Sequence, residues 1–562
     1  MKKIFTLTTL LFLLISAGFS QAPGYYFKVG LLDKQYSEFS ISKPGEFLSQ
    51  RAIERRLAQQ IPVDESDLPV SPSYLKQIRE AGAEVIYTSK WLNLVIIRVE
   101  QPEIAWRLAR KNFISYMISA DNLFEQKTRS EKKDFFDNEI ITELPGNSLK
   151  NQKSHASYNY GASLGQAQMI NIPQMHELDF TGKGMTIGVI DAGYNSVDVL
   201  PAFASLFANG QILGTRDFVN PGNNVYNSTI STHGTSVLST MGGNLPGQLI
   251  GTAPDADYWL LRSEDAPSEY LMEEYYWVNA AEFADSVGVD IINTSLGYST
   301  FDDPSENHTY ADMDGNTTVI TIAADKAAAK GILVVVSAGN SGGGAWRYIT
   351  APADGDSVLT VGAVDPNGNY VYFSSVGPTA DGRTKPDVSA QGMSTIVASV
   401  GGGVAGGSGT SFSAPIIAGA AACLWQANPS FTNMELINAI RMSASMATNP
   451  DNLMGWGIPD FIKANSILTS AEITEQEIFQ SINAFPNPFS SQIGIDLKVT
   501  KSMNLDIKLI NSTGRVVKSL PGVEVTKGDN NTVLRNLDQL PAGIYMLQIT
   551  DGHSVITKKL IK

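Results

Sequence analysis

Cysteine is nearly absent from this chain, since Cys423 is the only one among 562 residues. A single thiol cannot close an internal disulfide, so the fold does not depend on one. Cys423 lies in an apolar run, and we predict that it is a buried packing residue. Histidine is scarce as well, with five in the chain.

Positive charge is also in short supply. The chain has 41 Lys and Arg against 56 Asp and Glu, a net charge of −15, which argues against nucleic acid as a main partner. Charged residues make up 17% and apolar residues 43% of the chain, a balance typical of globular domains rather than disorder. The length predicts two to four domains.

An apolar run long enough to cross a bilayer is missing from the sequence, but a shorter one lies at the N-terminus. Residues 4–15 form a mostly apolar core, Lys2 and Lys3 precede it, and the small residues Gly18 and Ser20 follow. This three-part pattern predicts a signal peptide over residues 1–20. The run is too short to cross a bilayer comfortably, and no second candidate span follows, so we expect an exported protein without a transmembrane span.

The pattern changes along the chain in a way that predicts three folded parts. Helical and strand patterns alternate over residues 21–124, which predicts a small α+β domain. Residues 125–154 are charged with little periodicity and predict an exposed linker. Over residues 155–469, apolar strands such as "MTIGVID" and "GILVVVSAGN" alternate with helices, which predicts an α/β fold with a covered parallel sheet. After a linker at 470–481, short alternating strands over 482–562 predict an all-β sandwich.

The stretch "GGSGTSFSAPIIAGAAACLW" places Ser411 between a glycine-rich loop and a predicted helix. Phosphate binding is weakly indicated, because no Lys or Arg lies in the tract. A nucleophile elbow, G-x-S-x-G, would need a glycine at residue 413. Two readings stay open on this stretch alone: a nucleophilic serine served by a distant His and Asp, or a serine that caps the helix.

Three further residues occupy positions suited to catalysis. Asp191 ends a predicted strand, His233 precedes an apolar helical pattern, and Asn340 follows the buried strand "VVVS" in a glycine-rich loop. Each has an ordinary structural reading, as a turn residue, a cap or a packed side chain. Their joint occurrence in the order Asp191, His233, Asn340, Ser411, each at a strand end or helix start, favours the catalytic reading.

At these residues the chain resembles the subtilase family of serine proteases. The matching blocks cover residues 181–424 and read "IGVIDAGYN", "THGTSVLSTMGG", "INTSLG", "VVVSAGNSG" and "GTSFSAPIIAGAAA". The resemblance implies a subtilisin-like parallel sheet with helices on both faces. It also implies that Ser411 is the nucleophile, His233 the base and Asp191 its orienting acid, with Asn340 as an oxyanion donor. It implies no cofactor for the chemistry.

The same resemblance extends to substrate and metal. It implies that Ser295, Leu296 and Gly297 offer an extended edge to the substrate backbone, and that Ala338 and Gly339 wall the pocket for the side chain before the cut bond. Subtilases often carry calcium, and carboxylate clusters bind it. One acidic loop clusters Asp302, Asp303, Glu306, Asp312 and Asp314, and its four aspartates are the candidates for a structural calcium. The alternative interpretation of the same residues is a solvated acidic loop that binds no metal.

The flanking regions fit a secreted precursor. The α+β domain lies where a subtilase prodomain would be, and the linker at 125–154 is the expected processing region. The terminal module, with "FPNPF" and "LPAGIYMLQI", resembles the type A C-terminal sorting domain of the type IX secretion system of Bacteroidetes. The expected partners are therefore protein or peptide substrates, the chain's own prodomain and the type IX machinery, with export through the periplasm to the medium or the cell surface.

Two rival readings remain. The sequence "GNSGG" around Ser341 matches an esterase elbow, but an α/β-hydrolase would need a later histidine, and only His553 follows. The other rival is a non-catalytic surface binding protein on a protease-derived fold. The presence of all four catalytic side chains favours a serine endopeptidase that hydrolyses peptide bonds through an acyl-enzyme.

Overall fold

A computed structural model describes residues 24–123, 139–143, 158–227, 229–511, 516–551 and 555–562. The predicted signal peptide and most of the predicted linker at 125–154 lie outside these residues. Within the described residues, no helix is both long enough and apolar enough to cross a membrane.

The N-terminal domain is a four-stranded antiparallel sheet with helices packed on it. The strands lie in the order β2-β3-β1-β4. Alternation in the strands places Val29, Val95 and Ile97 on the face that meets Ile78 and Leu108 of the helices, and all five are fully buried. The elements are β1 (Tyr25–Leu31), α1 (Gln50–Ala58), α2 (Pro72–Glu80), β2 (Glu84–Ser89), β3 (Leu94–Val99), α3 (Pro102–Leu108) and β4 (Ile114–Ser119).

The central domain is built on a seven-stranded parallel sheet, as predicted. Its strand order is β14-β13-β12-β11-β6-β10-β7. The elements in chain order are β5 (Ile140–Glu143), α4 (Leu164–Gln168), α5 (Ile172–Glu177), β6 (Thr186–Asp191), α6 (Ala204–Ala208), β7 (Ile212–Asp217), α7 (His233–Gly242), β8 (Asn244–Leu245), β9 (Leu249–Ile250), β10 (Asp257–Arg262), α8 (Met272–Val287), β11 (Ile291–Thr294), α9 (Val319–Ala329), β12 (Leu333–Ser337), β13 (Leu359–Val364), β14 (Val388–Gln391), β15 (Thr395–Ala398), β16 (Val404–Ser408), α10 (Thr410–Ala427), α11 (Asn433–Ser443) and α12 (Phe461–Ile478).

Both faces of this sheet are covered, and its inner strands, such as β12 and β13, are buried on every residue rather than on alternate ones. Ile187 and Val189 of β6 pack with α7 and α10 in one core, while Ile190 packs with α8 and α9 in a second core. The small residues of α10 allow it to lie deep in the domain, where its residues from Thr410 to Trp425 are buried. The result is a three-layer α/β domain with its two central helices starting at one edge of the sheet.

The C-terminal module is a sandwich of two antiparallel sheets, ordered β17-β18-β21 and β20-β19-β22-β23. Alternate residues of facing strands, such as Ile495 and Ile507, share one core. Its strands are β17 (Phe479–Phe485), β18 (Gln492–Val499), β19 (Met503–Asn511), β20 (Val516–Val525), β21 (Gly528–Arg535), β22 (Ile544–Thr550) and β23 (Val555–Ile561).

Two predicted linkers contain regular structure. The backbone of residues 470–481, predicted as a linker, forms the last turns of α12 and the start of β17, so helix and strand join directly. Within the predicted linker at 125–154, β5 pairs antiparallel with β16, and β15 completes this small sheet. The polar composition of both segments hid these elements, because backbone pairing and helix extension do not require an apolar pattern.

Candidate active site

The four predicted catalytic residues lie where strands end and helices begin. Asp191 is the last residue of β6, Asn340 follows β12, His233 starts α7 and Ser411 is the second residue of α10. The carboxyl ends of parallel strands share one edge of the sheet, and α7 packs against α10. The topology therefore brings together residues that are far apart in the sequence.

Asp191 and His233 form a buried pair. Asp191 Oδ1 lies 2.7 Å from His233 Nδ1 and also accepts a hydrogen bond from the backbone N–H of Ala192 at 2.7 Å. Burial raises the pKa of Asp191, although the neighbouring imidazole opposes the shift. The pair fixes the orientation of the ring, so that Nε2 is the nitrogen left to face the site.

Asn340 is held with its amide N–H₂ directed into the site. Its Oδ1 accepts hydrogen bonds from the backbone N–H and the hydroxyl of Thr410, at 2.8 and 2.9 Å. Because the oxygen is committed to the start of α10, the Nδ2 group is the one that faces the centre. An amide donor in this orientation suits a developing oxyanion.

Ser411 is fully buried in the first turn of α10, where backbone N–H groups have no acceptor within the helix. Its hydroxyl donates to the carbonyl of Ser295 at 3.2 Å. Pro415 has no N–H to donate to the carbonyl of Ser411, and the hydroxyl of Ser295 donates to that carbonyl instead, at 3.0 Å. Two reciprocal hydrogen bonds thus join Ser411 to Ser295, the residue after β11.

The predicted substrate edge lies around these residues. Ser295, Leu296 and Gly297 follow β11 directly and are buried. Ala338 and Gly339 follow β12, and the Gly339 N–H donates to the hydroxyl of Thr410 at 3.2 Å. Gly339 has φ +105°, which favours glycine. Their roles toward substrate stay a prediction.

Glu139 is the site residue that the sequence reasoning missed. Its Oε2 lies 3.2 Å from His233 Nε2, and its Oε1 accepts a hydrogen bond of 3.2 Å from Asn340 Nδ2. Burial alone would lower the pKa of His233, but the carboxylates of Asp191 and Glu139 outweigh it and raise that pKa to about 10. No sequence motif contains Glu139. The one feature of the sequence that pointed to it is its position in the expected processing region at 125–154.

The four calcium candidates do not converge. Asp303, Asp312 and Asp314 each accept hydrogen bonds from residues two or three positions away, as capping residues of local turns do. Asp302 accepts from the backbone N–H of Glu269 at 3.2 Å. Calcium needs six to eight oxygens around one point, an arrangement that these carboxylates do not form, so a calcium at this loop gains no support and stays a prediction.

A different set of carboxylates does converge. Among the described residues, Glu264, Glu269 and Glu273 are buried and each has an oxygen within 4.8 Å of the others. Burial, together with the charges of Glu264 and Glu269, raises the pKa of Glu273 well above its ordinary value. The Tyr298 hydroxyl donates to Glu264 at 2.5 Å, and backbone N–H groups of Asp265 and Tyr270 donate to Glu273.

The other described buried histidine of the central domain, His176, is structural. Its ring lies between the Tyr160 hydroxyl, at 2.6 Å, and the Thr252 carbonyl, at 3.0 Å, and burial lowers its pKa to about 4. Cys423 is buried beside it and donates to the same carbonyl at 3.1 Å. The predicted packing role of Cys423 is confirmed.

Comparison with known families agrees with this geometry. Residues 182–457 match the model of the subtilase family, residues 26–134 that of the peptidase S8 propeptide domain of Bacteroidota, and residues 483–562 that of a secretion system C-terminal sorting domain. The chain belongs to the subtilase family, and it is a serine-type endopeptidase with a propeptide and an export tail.

Curated relatives cover the central part of the chain. Subtilisin NAT of Bacillus subtilis subsp. natto is 30% identical over 302 residues, which are 53% of this chain and 70% of that protein. Subtilisin of Bacillus pumilus is 30% identical over 51% of this chain and 92% of its own length. Among solved structures, MycP1 without its N-terminal propeptide is 25% identical, covers 54% of this chain and 96% of its own, and has a TM-score of 0.42.

Proposed function

We propose that this protein is an exported endopeptidase that cuts peptide bonds through Ser411, His233 and Asp191. The observation that carries the proposal is the position of His233, whose Nδ1 lies 2.7 Å from Asp191 while Nε2 faces the centre where Asn340 directs its amide. This arrangement suits a base on one side of the reacting carbonyl and an oxyanion donor on the other.

In the proposed reaction, Ser411 Oγ attacks the substrate carbonyl and transfers its proton to His233 Nε2. The buried Asp191 carboxylate stabilises the imidazolium and keeps the ring in place. Asn340 Nδ2 and the backbone N–H of Ser411 bind the oxyanion. His233 then gives the proton to the leaving amine, and a water molecule, activated by His233 in the same way, releases the acyl group from Ser411.

The working state requires two local changes from the arrangement described above. The Ser411 hydroxyl, which donates to the Ser295 carbonyl, must turn toward His233 Nε2. The Glu139 carboxylate, which occupies the space between His233 and Asn340, must leave. Both changes fit a precursor that becomes active after its linker is cut between about residues 120 and 155.

Export is the second part of the proposal. The sorting tail supports delivery across the outer membrane through a type IX pathway, with the tail acting as an address. Protein or peptide substrates are then met outside the cell.

The test compares the parent with Ser411→Ala and Ser341→Ala by labelling with a serine-directed fluorophosphonate and by intact mass. Parent and Ser341→Ala should be labelled and should hydrolyse casein, whereas Ser411→Ala should be folded, unlabelled and inactive. Labelling that persists in Ser411→Ala, or is lost in Ser341→Ala, would contradict the assignment and favour the esterase elbow at Ser341.

A further inference from the structure

Residues 139–143 lie between the propeptide match, which ends at 134, and the subtilase match, which starts at 182. This segment nevertheless enters the active site. Ile140 pairs with Ser408 and Glu143 with Ala405, antiparallel to β16. Because β16 leads through Gly409 into α10, residue 139 arrives beside the first turn that carries Ser411.

The carboxylate of Glu139 fits into the centre of the site. Its side chain is 5% exposed, and its two oxygens reach two different catalytic groups, His233 Nε2 and Asn340 Nδ2, each at 3.2 Å. Gly409 makes the approach feasible, since a Cβ there would lie 2.6 Å from Glu139 Oε1. Oε2 thus faces His233 Nε2, the nitrogen that must accept the serine proton. Oε1 accepts the hydrogen bond of Asn340 Nδ2, the amide that must bind the oxyanion.

We infer that Glu139 is an internal anionic inhibitor of the uncut chain, whose carboxylate blocks the base His233 and the oxyanion donor Asn340 until residues 139–143 leave the cleft. The inference rests on the proposed function of those two residues. It assigns the inhibitory contact to a side chain downstream of the propeptide match, rather than to the N-terminal domain alone.

The charge of Glu139 explains why the blockade should be effective. With carboxylates on both nitrogens of its ring, His233 is held as an imidazolium, which cannot take a proton from Ser411. Among the described residues, Asp191 and Glu139 are charged groups that face the ring, and the uncharged ring of Phe412 lies 6.2 Å away between centroids. Removing one of the two carboxylates should therefore return the imidazole toward its neutral form.

The strand itself is weakly anchored, so the carboxylate should matter more than the backbone around it. All four residues of β5 are exposed, so the segment buries little apolar surface. Within the part of the chain that the structure describes, the segment is held, besides its pairing with β16, by Glu143, which accepts a hydrogen bond from the Ser399 hydroxyl at 2.5 Å, and by Glu139. A single substitution at Glu139 should then loosen the contact without unfolding the central domain.

The experiment follows labelling of the uncut chain. The parent, Glu139→Gln, Glu139→Ala and the control Glu103→Gln, an exposed acid on α3, are refolded and exposed to fluorophosphonate at pH 7.5 for increasing times. Intact mass separates labelled uncut chains from labelled processed chains. We expect uncut Glu139→Gln and Glu139→Ala chains to be labelled at least about tenfold faster than uncut parent, because a pKa near 10 leaves little neutral imidazole at this pH.

Each outcome is decisive. Equal labelling of uncut parent and both Glu139 variants would overturn the inference, as would equal acceleration in Glu103→Gln. If processed parent is not labelled either, the proposed function fails instead. Should a Glu139 variant fold poorly, the uncut Ser411→Ala chain allows a second measurement, the NMR titration of ¹³C-labelled His233. Its midpoint should fall by at least about one pH unit with Glu139→Gln, and an unchanged midpoint would overturn the inference.

Discussion

Asp285 offers the sharpest test of how the N-terminal domain is held. Its carboxylate, on α8 of the central domain, is fully buried and lies 2.6 Å from Arg55 and 2.7 Å from Arg56 of α1. Lys90 approaches it at 3.3 Å. Arg56 keeps a second partner in Asp67, at 2.9 Å. Without Asp285, Arg55 would keep its hydrogen bonds to the carbonyls of Val289 and Lys330 and the more distant charge of Asp290.

Asp285→Ala should therefore leave buried positive charge at the contact between the two domains. Removing one member of a buried ion pair typically costs about 3–5 kcal/mol. Because the arginines belong to one domain and Asp285 to the other, most of this cost should fall on their association. The affinity of the separated N-terminal fragment should drop by about two to four orders of magnitude.

The assay is gel filtration of the processed protein over a dilution series, with both fragments followed by mass. The parent fragments should elute together at micromolar concentration, and those of Asp285→Ala should separate. Glu84→Ala, which removes an exposed partner of Arg98, is the control and should change the affinity by less than about tenfold. Co-elution of the Asp285→Ala fragments down to the same concentration as the parent would refute the reasoning. In the uncut Ser411→Ala background, the same substitution should lower the first melting transition.

The other predictions concern pH, chemistry and export. Burial raises the pKa of Asp285, but Lys90, Arg55 and Arg56 outweigh it and lower that pKa. Its contribution should therefore be complete above about pH 4 and lost only as the pH falls through the lowered value, so co-elution should be constant from pH 8 to pH 5. Asn340→Ala should lower kcat by about two to three orders of magnitude with little change in KM, as for the oxyanion donor of subtilisin; unchanged turnover would remove Asn340 from the mechanism. A chain ending at Ile478, after α12, should keep peptidase activity but stay in the periplasm of a host with type IX secretion, and its normal appearance in the medium would contradict an address role for the tail.

Much of this protein could be predicted from sequence because the signals are local. Continuous apolar strands such as β12 and the small-residue helix α10 follow from the side chains that must be buried. The positions of Asp191, His233, Asn340 and Ser411 at strand ends and helix starts follow from the order of those elements. The sequence analysis assigned β5 and the end of α12 to linkers, because strand pairing and helix extension do not require an apolar pattern there.

The tertiary structure decided what meets in the site. Glu139 and Asn340 are 201 positions apart, and nothing near either residue indicates that a carboxylate will enter the cleft. Glu264, Glu269 and Glu273 converge, whereas the carboxylates of the acidic loop at 302–314 do not. This difference also depends on tertiary structure, because the loop after β10 places Glu264 and Glu269 beside Glu273 of α8. Local pattern determines which segments form helices and strands, whereas contacts between distant side chains depend on the path of the whole chain, which no local pattern encodes.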